Sequence, residues 1–120
     1  MQIDSLRVLV IGETCVDKFV YCDAKRLSPE APVPVLNPLH IVNNPGMAGN
    51  TAANVIALAP DVNIMKFIQE DDIIKTRYVE EKSNHMFLRV DEGEDYVKPF
   101  KWGPAADVML GQADIVIVSD

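Results

Sequence analysis

The residues able to do chemistry fall in three groups. Glu13 and Asp17 follow Gly12 at the end of an apolar run, Arg7 to Ile11. Carboxylates placed there accept hydrogen bonds from hydroxyl groups, and in open α/β sheets ligands bind outside the carboxyl ends of the strands. The second group is Pro45-Gly46-Met47-Ala48-Gly49-Asn50. Glycine lets the backbone approach a ligand, a helix start presents free N–H groups, and the Asn50 amide offers a donor and an acceptor to a hydroxyl pair. This loop has neither the Gly-Lys-Ser/Thr of a Walker loop nor GxGxxG. Lys75, Arg77 and Arg89 form the third group. Lys75 and Arg77 share a face if they lie on a strand, and cations converging on one face can hold a phosphate. Each group also has a plainer use. Glu13 and Asp17 suit solvated loop charges, the glycines a shaped loop and Asn50 a helix cap. The cations equally suit a solvated strand face paired with Glu80, Glu81 or Asp91.

The elements that must position these residues are legible in outline. Arg7 to Ile11, Ile64 to Ile68 and Ile115 to Val118 are short continuous apolar runs, the pattern of strands buried on both faces. Between the first two, Ala48 to Ala59 carries Ala52, Val55, Ile56 and Ala59 at helical spacing, and Pro60-Asp61 stops it. Gly103-Pro104 opens a second, short helix that Gly111 closes. Strand, helix, strand, helix, strand predicts a parallel α/β sheet.

Lys18 to Asn44 breaks that grammar. Pro29, Pro32, Pro34 and Pro38 exclude a helix there and favour edge strands and turns, with Phe19-Val20-Tyr21 and Val33 to Val42 as the strand formers. Ile73 to Asp91 also departs, with KTRYVEE and HMFLRVDE joined by Lys82-Ser83-Asn84 as a hairpin. A small antiparallel sheet beside the main one accommodates both segments.

Composition bounds the function. The chain has 120 residues, 48% of them apolar, so it has room for one core. The formal charge of −7 argues against a nucleic-acid backbone as partner, because that binding runs on clustered Lys and Arg. Cys15 and Cys22 are too far apart for a CxxC site and read as ordinary reduced cysteines in or beside a strand, with no metal site. The opening MQIDSLRVLVIG lacks the basic and long apolar regions of a signal peptide, and no run reaches the length of a membrane span. A cytoplasmic location follows as the default expectation.

Several strings together resemble the ribokinase-like (PfkB) carbohydrate kinases, most closely the heptose-phosphate kinases of ADP-heptose synthesis. Arg26-Leu27-Ser28-Pro29-Glu30-Ala31-Pro32-Val33-Pro34-Val35 is similar to that branch's RxSPEAPVPV stretch. VLVIGETCVDKFVYCD resembles the family's opening strand, NPGMAGNTAANV its PGGAANVAxN motif, KTRYVEEKSNHMFLRVDEGE its KxR strand and following hairpin, and ADIVIVSD a later core strand. The resemblance implies a truncated ribokinase-like, Rossmann-like parallel sheet with flanking helices over 1–17, 45–72 and 100–120. It also implies a small antiparallel β lid over 18–44 and 73–99, the two parts making one partial domain, 1–120.

By the same resemblance, sugar or sugar phosphate is bound by Glu13, Asp17, Gly46 and Asn50, with Lys75, Arg77 and Arg89 as lid or phosphate contacts. Two lids clasp to make a homodimer. Three departures stand out. Glu13 replaces the branch's usual Asp, Met47 replaces the second glycine of the GG pair, and Gln69 to Ile74 is a short link where the family has a further helix and strand. The family's GAGD motif, with its catalytic base and the site for Mg-ATP, lies beyond Asp120. No catalytic residue or cofactor is therefore expected in this chain, whereas full-length members use ATP and Mg²⁺. The expected function is the sugar-binding and lid half of a carbohydrate kinase, unable to phosphorylate sugar alone. The alternatives are a non-enzymatic binding or lid-dimerisation module, or a truncated relic.

Overall fold

The computed structural model describes residues 6–119. Residues 1–5, the start of the stretch tested above for a signal peptide, and Asp120 lie outside the described residues. Strand β1 (Arg7–Ile11) lies at the centre of a parallel three-stranded sheet, between β4 (Asn63–Phe67) and β7 (Ile115–Val118). Its unbroken apolar run is required by that place: Val8, Leu9 and Val10 are all buried, so side chains on both faces of the strand are covered.

Helix α1 (Ala48–Leu58) covers one face. Its Ala48 and Ala52 bring the helix close enough to pack with Val8 and Val10, flanked by Val55, Val62, Ile64 and Ile117. Helix α2 (Pro104–Gln112) carries Pro in its first turn and packs on β1 through a stretch that includes buried Ala106. Gly111 does not close α2. The helix runs one residue further, to Gln112, and Ala113 caps it by donating to the carbonyls of Met109 and Leu110.

The remaining strands build the lid. β2 (Thr14–Leu27) and β3 (Pro34–Met47) form a long hairpin, and β5 (Ile74–Glu80) and β6 (Met86–Glu92) a shorter one, in the order β3-β2-β5-β6. The lid is mixed rather than antiparallel as expected, because its central pair β2/β5 is parallel. The cause lies in the main sheet. β1 and β4 are parallel, each is followed by a lid strand, and two chains leaving the same edge in the same direction enter the lid side by side.

Pro34, Pro38 and Pro45 are tolerated because β3 is an edge strand, where a missing N–H costs no ladder bond. β2 pairs with β5 only as far as Cys22, so the rest of the β2–β3 hairpin extends as a two-stranded arm. The Ser28–Val33 part of the SPEAPVPV string makes its exposed tip, closed by Ser28 N–H donating to the Val33 carbonyl at 2.7 Å. In the second hairpin, Ser83 donates to Glu80 from both its N–H and its hydroxyl, at 2.7 and 2.6 Å, and these bonds lower the Glu80 pKa.

Candidate functional site

Cross-strand register sorts the lid into two faces. Residues directly opposite one another in neighbouring strands point to the same side. One row reads Asn44, Asp17, Lys75, Asp91, and the next reads Val42, Phe19, Arg77, Arg89. The opposite face has Ile41, Val20, Tyr78, Leu88 in one row and Asn43, Lys18, Thr76, Val90 in the next. One side of the lid is charged, and the other has an apolar row beside a mixed one.

Asp17 stands at the root of the charged face. It lies within β2, because that strand begins at Thr14, earlier than the four-proline stretch implied. Its Oδ1 accepts from Arg77 Nη1 at 2.9 Å, with both side chains about three-quarters buried. The guanidinium carbon of Arg77 lies 5.2 Å from the centre of the Phe19 ring, a cation–π contact that fixes its plane. Cys15 donates its thiol to the same carboxylate oxygen at 3.7 Å, and burial, then the nearby Asp17 charge, pushes the Cys15 thiol pKa up. Both cysteines are free and buried in β2, and Cys15 serves Asp17 as a neutral donor.

Gly46, opposite Cys15 on β3, makes this arrangement possible. A Cβ there would overlap the Cys15 sulfur and lie 2.7 Å from Asp17 Oδ2. Its place in the motif is thus explained by close packing against the carboxylate, whatever ligand binds.

The three cations of the sequence do share the charged face, and each has a carboxylate partner. Lys75 Nζ meets Glu94 at 3.2 Å, Arg77 meets Asp17, and Arg89 meets Asp91 at 2.8 Å. Of the partners named from sequence only Asp91 is used. Pairing also explains how Arg77 and Arg89 sit directly opposite each other, an arrangement that would be repulsive if both were bare. A phosphate arriving here must compete for cations that are already engaged. Lys75 has the most exposed partner of the three, since Glu94 is half exposed on a short 3₁₀ turn, Glu94–Tyr96.

The other sequence candidates are placed differently. Glu13 works through its main chain, where its carbonyl accepts the Ala48 N–H at 2.9 Å and ties the end of β1 to the start of α1. Asn50 is exposed in the first turn of α1 and does not cap it, since Met47 holds the N-cap position and no side chain caps the helix.

Met47 has φ 55° and ψ −130°, a conformation suited to glycine. The departure noted in the motif is therefore a strained residue, and its backbone still takes the path a glycine would. Replacing Met47 with Gly is expected to stabilise the chain by about 1 kcal/mol, seen as a rise of roughly 4 °C in the melting temperature. A lowered melting temperature would mean that the Met47 side chain contributes more packing than its backbone costs.

Sequence reasoning missed Gln69, Glu94 and Asn44. Gln69 bonds the backbone of Thr14, Glu94 pairs with Lys75, and Asn44 stands beside Asp17 in the same row. Nothing local in the chain signals these roles, which depend on strands meeting. A cleft of about 370 Å³ lies beside the lid root, between Thr14, Val16 and Pro45 of the lid, Gly49 of α1, and Lys66 and Ile68.

The fold these elements make matches part of a solved carbohydrate kinase. It superposes on a carbohydrate kinase from Agrobacterium tumefaciens with a TM-score of 0.60 at 13% identity, over 94% of this chain and 45% of that one. The sequence relatives point the same way: the chain is similar to the bifunctional protein HldE of several bacteria. It is 30% identical to HldE of Gluconacetobacter diazotrophicus across 100% of this chain and 31% of that protein. It is 31% identical to HldE of Shewanella amazonensis across 98% and 30%, and 41% identical to HldE of Coxiella burnetii (strain Dugway 5J108-111) over 68 residues. The chain thus spans about a third of the length of the relatives it matches end to end. The first alignment runs over 151 positions against 120 residues here, so that relative carries internal sequence this chain lacks. No family model matches the chain.

Proposed function

We propose that this chain is the sugar-phosphate-binding and lid part of a ribokinase-like kinase whose ligand class is a heptose phosphate. The observation that carries the proposal is the Asp17 carboxylate, oriented by Arg77 and packed against Gly46 where the lid leaves the main sheet. An ionised carboxylate accepts hydrogen bonds only, and so suits the vicinal hydroxyls of a sugar. Lys75, released from Glu94, supplies charge for the phosphate, and Arg77 and Arg89 lie alongside. The likeness to HldE supports heptose over other sugars.

ATP and Mg²⁺ belong to the full-length kinases. Among the described residues no group of three His, Cys, Asp or Glu could hold a metal ion, and no phosphoryl-transfer step is assigned to these residues. A cytoplasmic location goes with this reading, and among the described residues no helix is long and apolar enough to cross a membrane. Calorimetric titration of the chain with a heptose monophosphate tests the proposal. Saturable heat that is absent with the unphosphorylated sugar supports it, and no heat at millimolar ligand overturns it.

A lid-mediated homodimer is a second, compatible role. The observation favouring it is the apolar lid face, where Ile41, Leu88 and Val90 are 53%, 47% and 41% exposed beside Val20 and Tyr78. Light scattering at micromolar concentration is expected to report a dimer that Leu88→Asp converts to monomer. A monomeric wild-type chain would count against this role.

A further inference from the structure

Asp17 can serve a ligand only if the lid root keeps its place beside α1, and only Gly12 and Glu13 join β1 to β2. The neighbouring chain holds this root. Gly12 N–H donates to the Phe67 carbonyl at 3.2 Å and Val16 N–H to the Ile73 carbonyl at 2.9 Å. Between these bonds the backbone ladder is interrupted. The β1/β4 pairing ends at Ile11 opposite Phe67, and the β2/β5 pairing resumes at Val16 opposite Ile74.

In the gap stands the Gln69 side chain. Its Oε1 accepts the Thr14 N–H at 2.8 Å, and its Nε2 donates to the Thr14 carbonyl at 2.7 Å. A primary amide offers the same donor and acceptor pair as a peptide unit. Gln69 therefore fills, with one side chain, the place of a ladder residue that the link 68–73 does not provide.

We infer that Gln69 is a positioning residue, a clamp that carries the sheet ladder across the root of the lid and so fixes Asp17 relative to Gly46 and α1. Its consequence for sugar binding rests on the function proposed above, whereas the clamp itself does not. Either bond alone would leave the Thr14 peptide free to rotate about it relative to the link. The pair fixes both distance and orientation.

Hydrogen exchange on the full chain tests the clamp. In Gln69→Ala the Thr14 amide is expected to exchange ~tenfold faster or more, with Val16 following, while the β1 amides of Val8 to Val10 and the Val20 amide keep their protection. Gln69→Glu keeps the acceptor and loses the donor, so Thr14 N–H stays protected while the new carboxylate oxygen repels the Thr14 carbonyl. The Arg77 guanidinium Nη1–H resonance reports Asp17 directly, because Nη1 donates to the carboxylate. It is expected to shift in both variants, while that of Arg89, paired with Asp91, stays put. Unchanged Thr14 exchange in Gln69→Ala, or loss of protection shared equally with β1, overturns the clamp. An unmoved Arg77 signal overturns its positioning role. If the clamp is present and wild-type chain takes up no heptose monophosphate, the proposed function fails and the clamp stands. If wild type binds, Gln69→Ala is expected to bind ~tenfold more weakly.

Discussion

Asp17→Ala is expected to weaken heptose monophosphate binding by roughly 10- to 100-fold, the worth of one or two hydrogen bonds to a charged acceptor. The carboxylate stands at the root of the charged lid face and is oriented by Arg77 at 2.9 Å. Its removal has a second effect. Arg77 loses the partner that compensates its burial, and the Phe19 ring and the Lys75 carbonyl, 3.4 Å from Nη1, are left to hold it. Asp17→Asn separates the two contributions. It keeps an acceptor oxygen for the sugar, so it is expected to bind better than Asp17→Ala while losing the ion pair with Arg77. Melting curves of both variants serve as the control. Binding unchanged in Asp17→Ala, measured by calorimetry on folded protein, would remove Asp17 from the site.

Gly12→Ala is expected to cost about 3 kcal/mol or more of stability, a large share of what a domain of this size possesses. The position has two independent reasons to be glycine. A Cβ there would overlap the Ser119 carbonyl oxygen and come within 3.1 Å of the Ala48 Cβ. Backbone atoms cannot swing aside as a side chain does. Relief would need β7 to separate from β1, breaking the 2.8 Å bond from Ser119 N–H to the Ile11 carbonyl. Urea unfolding gives the check. A midpoint within error of wild type would show that β7 is not held against β1 as described. Gly12 thus closes the main sheet, and the Gly-Glu pair read as the mark of a sugar site has a structural duty first.

Much of this architecture is legible in the residues themselves. The apolar runs at Arg7, Ile64 and Ile115 become the three main strands, but only the central β1 is buried on both faces as expected, while β7 leaves Ile115, Val116 and Val118 exposed at the sheet edge. The Ala48 helix and the 73–91 hairpin follow from periodicity and turn residues for equally local reasons. The candidate site is legible only in part. Asp17, Lys75, Arg77 and Arg89 do come together, because a period of two puts alternate residues on one face. Glu13 and Asn50 lie at the expected places in the chain, yet Glu13 acts through its carbonyl and Asn50 faces outward. No periodicity reports whether a side chain or its backbone meets the neighbour.

The sequence by itself therefore determined the likeness to the carbohydrate kinases, the parallel sheet, and the identity of the charged lid residues. Motif spacing and apolar patterning are local properties, and they survive in a chain that matches about a third of its relatives' length. Tertiary structure alone decided the parallel direction of β2 and β5, the pairing of each lid cation, and the bridge from Gln69 to Thr14. Those depend on segments far apart in the chain being brought side by side. Hydrogen-bond and ion-pair partners are chosen by that juxtaposition, and no short-range pattern encodes it.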